Sequence, residues 1–283
     1  MQELVNKYNL ERIDYLRNNK KEITSDILED LRSYGIAGKQ IAIDILELKE
    51  DERVSPVHLE EIQKCIDDVF YFKDNYILIL NQDELQDKLI KSISKYQKVQ
   101  ITSGIQTKKT YAAVIYALHQ FNFARDKIIG VVSSKSVFTK EFISNATNLY
   151  NQIPSWMKIK ARNLKTSMTS EMNVKIIIDI ADEKCFRGYS LNTSIIENAG
   201  TIKTTNLREC LEAVRSSISY QKDNKIIVLE KNEIIPADFI EINESTNLTD
   251  LESPVQTEKP IIKRTLKQII MNFIESLYKR IKG

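Results

Sequence analysis

Apolar residues recur at helical spacing early in the chain, at Leu10, Ile13 and Leu16 and again at Ile23, Ile27, Leu28 and Leu31. That periodicity predicts short amphipathic helices over the N-terminal segment 1–55. Gly35 and Gly38 predict a break, followed by a second amphipathic stretch over 41–48. Ser55-Pro56 predicts the start of another helix, with Glu60 and Glu61 in its first turns, where the helix dipole favours acids. From residue 84 the pattern changes. A helical stretch (Leu85, Leu89, Ile90, Ile93) leads to an apolar run at 99–102, a helix reaching residue 121 and a strand at 127–133. A helix over 136–150 follows and stops before Pro154. After it come a β-hairpin over 159–180, a buried strand at 193–197, a helix over 206–217 and a last strand at 225–229. Strands alternating with helices predict an α/β fold with a mainly parallel sheet covered on both faces.

Beyond 230 the regularity lapses and then returns. Residues 231–262 are acidic, carry Pro236, Pro254 and Pro260, and read as a linker. In 263–283, Leu266, Ile269, Ile270, Phe273, Ile274, Leu277, Tyr278 and Ile281 fall on one helical face. Lys263, Arg264, Lys267, Lys279, Arg280 and Lys282 surround them. Such a basic amphipathic helix can dock on its own core, enter a partner's groove or lie on an anionic surface. The linker before it favours a partner.

Composition narrows the classes. At 283 residues, with 42% hydrophobic and 28% charged positions, the chain has room for one sizeable α/β domain with appendages and is not of disordered type. A net charge of +2 gives no global case for nucleic acid. Cys65, Cys185 and Cys210 show no pairing pattern, and with only His58 and His119 beside them they predict buried thiols rather than a zinc site. The N-terminus lacks the pattern of a signal peptide and no apolar run reaches membrane-spanning length, so an intracellular protein is expected.

The sharpest chemical signal lies between the strand at 99–102 and the helix after it. The turn ends in Lys109-Thr110, the layout of a phosphate-binding P-loop. In such a loop, backbone N–H groups wrap the phosphates, the lysine reaches the terminal ones and the hydroxyl holds magnesium. The glycine that lets the backbone approach the phosphates is replaced by Lys108. Only seven glycines occur in the whole chain, which also argues against a fully equipped nucleotide site.

Over 59–229 the order of residues resembles the ATPase domain of the large terminase subunit of tailed bacteriophages, the myovirus type in particular. The stretch 61–72 is similar to the helix that precedes the core domain. Gln86 sits at the spacing of the adenine-reading glutamine, and Gln106-Thr107-Lys108-Lys109-Thr110 lies where the family has Gln-x-Gly-Lys-Thr. The segment 126–136 is similar to the next strand and turn. Ile153-Pro154-Ser155-Trp156 matches a Leu-Pro-x-aromatic stop, and Arg187-Gly188-Tyr189-Ser190 resembles the family's Arg-Gly-x-Ser.

The resemblance implies a P-loop NTPase-like fold of the ASCE type over 56–230, with nucleotide contacts from Gln86, Gln106, Thr107, Lys108, Lys109 and Thr110. It also implies a metal site at Thr110 and Glu197, and Mg-ATP as the cofactor if one is bound. The departures are as informative. The family's second motif ends in Asp-Glu, where the glutamate activates the attacking water; here Ser194-Ile195-Ile196 runs into Glu197-Asn198. Asn198 cannot act as a base, because an amide has no accessible proton-accepting pKa. A family arginine falls on Ile105, and the coupling segment after the last strand falls on Val228-Leu229-Glu230. Because phosphoryl transfer depends on positioning and charge stabilisation, these changes imply weak or lost ATPase activity.

The expected role is a structural or adaptor part in phage DNA packaging or virion assembly, in the host cytoplasm or the virion. Partners would be packaging, capsid or portal proteins, in part through 263–283, with double-stranded DNA as a further one. One rival is an active packaging ATPase whose nuclease is a separate chain, with a base such as Glu183. The other is a fold kept only for partner binding. Each site residue also has a plainer reading: Lys109-Thr110 as an inherited surface turn, Glu197 as a solvated strand end, Gln86 as a surface residue, and Arg187-Gly188 as a structural turn.

Overall fold

A computed structural model describes residues 2–48, 54–77, 84–102, 106–218, 224–230, 235 and 238–242. Ile105, most of 231–262 and the helix expected over 263–283 lie outside these residues. The described residues fall into two compact units. One comprises residues 2–77 with Asn151–Lys158, the other residues 84–150 with 159–242.

The first unit is helical: α1 (Gln2–Lys7), α2 (Leu10–Asn18), α3 (Ser25–Ser33), α4 (Gly35–Leu46), α5 (Pro56–Asp67) and α6 (Val69–Tyr76). Polar side chains before the helices fix their starts. Asn9 accepts the Arg12 N–H at α2, Thr24 caps α3, and the Ser55 N–H bonds to His58 Nδ1 where Pro56 opens α5. The break expected at Gly35 and Gly38 falls at Gly35 alone. Gly35, with φ of 74°, starts α4, and Gly38 lies inside it. A Cβ on Gly38 would sit 1.8 Å from the Leu31 carbonyl oxygen, so this glycine lets α3 and α4 cross closely. Helices α5 and α6 belong to this unit, whereas the sequence reads 56–230 as one domain. Their tie is the buried contact of Glu61 with Arg32 of α3, at 2.7 Å.

In the second unit the elements are α7 (Glu84–Lys95), β1 (Lys98–Ile101), α8 (Gln106–Phe123), β2 (Ile128–Ser133), α9 (Ser136–Gln152), β3 (Ala161–Leu164), β4 (Ser167–Ser170), β5 (Lys175–Ile180), β6 (Thr193–Ile196), α10 (Thr204–Ser217), β7 (Lys225–Leu229) and β8 (Ile240–Ile242). The strands form one eight-stranded sheet of order β3-β4-β5-β2-β6-β7-β1-β8. All pairings from β5 to β8 are parallel, while β3 and β4 form an antiparallel edge. The hairpin expected over 159–180 is therefore a three-stranded meander whose last strand, β5, joins the parallel set through β2. Another strand, β8, falls inside the stretch that reads as a linker and pairs with β1.

This is a P-loop NTPase-like arrangement: β1 is followed in sequence by α8, and β7 separates β1 from β6. The parallel strands are buried as such sheets require; β6 has no exposed residue and β2 only one that is not fully buried. Helix α8 is apolar nearly all round, with Ala112, Ala113, Val114, Ile115, Ala117, Leu118 and Phe121 all at 0% exposure, which makes it a central core helix. On the α10 side, Leu207, Leu211 and Val214 share a core with Ile196, Ile226 and Val228. Gly130 of β2 is needed there, because a Cβ would lie 2.7 Å from the Phe186 ring.

Candidate functional site

Ligands of open α/β sheets bind outside the carboxyl ends of the parallel strands. There β6 runs on into Glu197, whose N–H donates to the Val132 carbonyl (2.8 Å) and whose carbonyl accepts from Ser133 Oγ (2.8 Å). These bonds fix the residue beyond the last strand position. Thr110, in the first turns of α8, donates from Oγ1 to Glu197 Oε1 at 2.8 Å. Thr110, Glu197 and Lys109 are 7%, 4% and 3% exposed, so this contact is buried. The other carboxylate oxygen, Oε2, is buried with no hydrogen-bond partner among the described residues.

The electrostatics follow from that burial. Loss of water pushes the Glu197 carboxyl up to about 7; the Thr110 bond opposes the shift and the charge of Glu141 on α9 adds to it. Lys109 is pushed down by burial, with the Glu230 carboxylate partly offsetting the effect. Hence the site holds a proton-accepting oxygen without a partner and a lysine short of water, both of which an anion carrying a divalent cation would relieve.

Glu230 is the residue that sequence reasoning passed over, having noted it only as an occupant of the coupling segment. It follows β7 with φ of 113°, and its N–H donates to the Ile101 carbonyl (2.8 Å). Its Oε2 accepts the Gly200 N–H at 3.1 Å. It thus stands beyond the strand between β1 and β6, with its charge felt at Lys109. The available signal was an acid directly after the wholly apolar run Ile226–Leu229.

The remaining expected residues are placed as follows. Asn198 is left-handed (φ 53°, ψ 44°), and its carbonyl accepts the Thr201 N–H (2.9 Å) and hydroxyl (2.8 Å). Its backbone thus opens the short 3-10 turn Ala199–Thr201. Gln106 and Thr107 begin α8, and Lys108 is half-buried. Gln86 is buried on α7 rather than on the surface. Glu183 is exposed, with its carboxylate 3.7 Å from Lys184. Among the described residues no group of three or more His, Cys, Asp or Glu is placed to hold a metal, and no helix is long and apolar enough to cross a membrane.

No protein-family model matches the chain. Among solved structures it is similar to the large terminase of bacteriophage HK97, at 14% identity and a TM-score of 0.49, over 58% of this chain and 37% of that one. It is also similar to the large terminase of a thermophilic bacteriophage, at 8% identity and a TM-score of 0.44, over 64% of this chain and 52% of the other. A third likeness is to the ATPase domain of the large terminase of Thermus phage P74-26, at 12% identity and a TM-score of 0.43, over 63% and 70% of the two chains. The chain thus spans little more than a third of the first of these proteins and about half of the second.

Proposed function

We propose that this protein binds Mg-ATP at the carboxyl ends of β1 and β6 and turns it over slowly, serving a terminase-like DNA-packaging assembly more as a structural or adaptor part than as its motor. The observation that carries the reading is the buried Thr110–Glu197 contact at 2.8 Å with Glu197 Oε2 lacking a partner. The donor set fits magnesium, a hard cation that takes carboxylate and hydroxyl oxygens. Glu197 and Thr110 would hold it, and Lys109 would meet the phosphates at the start of α8, where the helix dipole favours an anion. When bound, magnesium would draw charge from the phosphate oxygens. Slow turnover follows from Asn198, which supplies no base. Packaging, capsid or portal proteins and double-stranded DNA are the proposed partners, in the host cytoplasm or the virion.

A second reading, an active packaging ATPase, draws support from Glu230, an acid whose charge acts on Lys109 and that would take the part of the absent base better than the exposed Glu183. Titration calorimetry with Mg-ATP and a non-hydrolysable analogue, paired with phosphate release, separates the two. The leading reading expects binding of both nucleotides, abolished by Lys109→Ala, with little phosphate release. Rapid release lost in Glu230→Gln selects the active ATPase. Absence of binding by either nucleotide overturns both.

A further inference from the structure

On the α10 side of the sheet, two cysteines from different elements meet in the core. Cys185 lies in the turn after β5 and Cys210 in the middle of α10, with their Sγ atoms 3.4 Å apart. Both are buried, at 2% and 0% exposure. Cys185 Sγ also lies 3.8 Å from the Cys210 carbonyl oxygen.

The turn holds Cys185 in place from both sides. The Ala181 N–H donates to the Ser133 carbonyl (3.0 Å), and the Lys184 N–H donates to Asp182 Oδ1 (2.7 Å). The Phe186 N–H donates to Asp179 Oδ2 at 2.8 Å. Phe186 is left-handed, with φ of 57°, and its ring lies against Gly130, where no side chain larger than hydrogen fits. A strained residue anchored to the sheet thus directs its neighbour at α10.

We propose that Cys185 and Cys210 are a redox-responsive dithiol that closes to a disulfide on exposure to a hydroperoxide and reopens with a thiol reductant. The Cys185 thiolate attacks the peroxide oxygen, the O–O bond breaks, and the leaving oxygen departs as water after taking up a proton. Cys185 is then a sulfenic acid. Cys210 attacks its sulfur, the S–O bond breaks and a second water leaves, so two thiols and one hydroperoxide give one disulfide and, for hydrogen peroxide, two waters. The sulfurs close from 3.4 Å to about 2 Å, a movement of the size that side-chain torsions supply. The Cys210 hydrogen bond lowers the Cys185 thiol and raises that of Cys210, which suits this order of attack. Asp182, Glu183, Lys184 and Arg187 of the turn are exposed, so a local opening admits a small oxidant. Reversible intracellular disulfides are of this sensing kind.

Cys65, buried on α5 with its thiol pushed well up by loss of water, provides an internal control. Native protein is treated with stoichiometric hydrogen peroxide, quenched, unfolded and titrated for thiols. The three thiols of the reduced chain should fall to one. Peptide mapping should find Cys185 joined to Cys210, dithiothreitol should restore all three thiols, and the oxidised form should melt at higher temperature. Cys210→Ala should form no intramolecular bridge. Three thiols remaining, a Cys185 sulfinic acid without a bridge, or a bridge to Cys65 would overturn the proposal.

Discussion

Among the described residues two glutamates are buried, one in each compact unit, and they are treated in opposite ways. Glu61 of α5 is fully supplied: Arg32 Nη2 (2.7 Å) and Tyr76 Oη (2.6 Å) donate to Oε2, Tyr71 Oη donates to Oε1 (2.8 Å), and Lys64 lies 3.6 Å away. Burial alone would push its carboxyl up, but the guanidinium and the tyrosine hydroxyls outweigh it and hold the group below its ordinary range. Glu197, equally hidden from water, has one hydroxyl on one oxygen and none on the other, and burial wins. A buried acid with donors on both oxygens and a guanidinium beside it holds helices together. A buried acid left half-paired at the carboxyl ends of parallel strands is the one we propose takes up a ligand.

Removing Glu61 should do the most damage. Glu61→Ala leaves Arg32 charged and without its carboxylate, and such broken buried pairs cost about 3–5 kcal/mol. Denaturant unfolding should show that loss, with Arg32→Ala close behind.

The next test compares the two acids through pH. Glu197 has a native pKa raised from 4.5 to about 7, so it destabilises the fold only when ionised. Stability is unpenalised below pH 4.5, falls through the interval up to about 7 and carries the full cost above it, a shift worth about 3 kcal/mol. Glu61 has the opposite sign. Its contribution is present above 4.5 and is lost as pH falls through its lowered pKa. Glu197→Gln should therefore flatten the fall between 4.5 and 7 and exceed wild type at pH 8. Its net gain should be about 1–2 kcal/mol, since the new amide N–H₂ lacks a partner. Chemical unfolding across that pH range provides the measurement.

Smaller effects probe what surrounds Glu197. Asn198→Glu places a base after it but forces a glutamate into left-handed backbone, at about 1 kcal/mol, and should raise phosphate release if nucleotide is bound as proposed. Gly200→Ala sets a Cβ 3.0 Å from the Glu230 carboxylate. That flexible end should swing off the Gly200 N–H, for a loss of under about 1 kcal/mol by thermal melting.

Legibility differed between the fold and the site for physical reasons. Alternating apolar runs disclosed the parallel sheet, since strands buried on both faces read as continuous hydrophobic stretches. Lys109-Thr110 stood out by residue type at the end of a turn between strand and helix, whereas Glu197 came only from the resemblance, and the fold brings Thr110 and Glu197 into contact. Strand β8 was hidden because three residues carry too little periodicity to stand out among prolines and acids. Gly38 reads as a breaker because composition cannot tell a flexible glycine from one that admits a crossing helix. Glu61 read only as a dipole-favoured acid near a helix start, and only tertiary packing sets it against Arg32. Likewise, nothing local reveals that the backbone at Glu230 directs its carboxylate to Gly200.

The most direct measurement is a carboxyl-carbon NMR titration of Glu197, made without ligand and again with magnesium and a non-hydrolysable ATP analogue. An inflection near 7 that moves well below it on adding both ligands is the expected result. An inflection in the ordinary range near 4.5 without ligand, or one near 7 that the ligands leave unmoved, would contradict a cation and nucleotide site at this carboxylate.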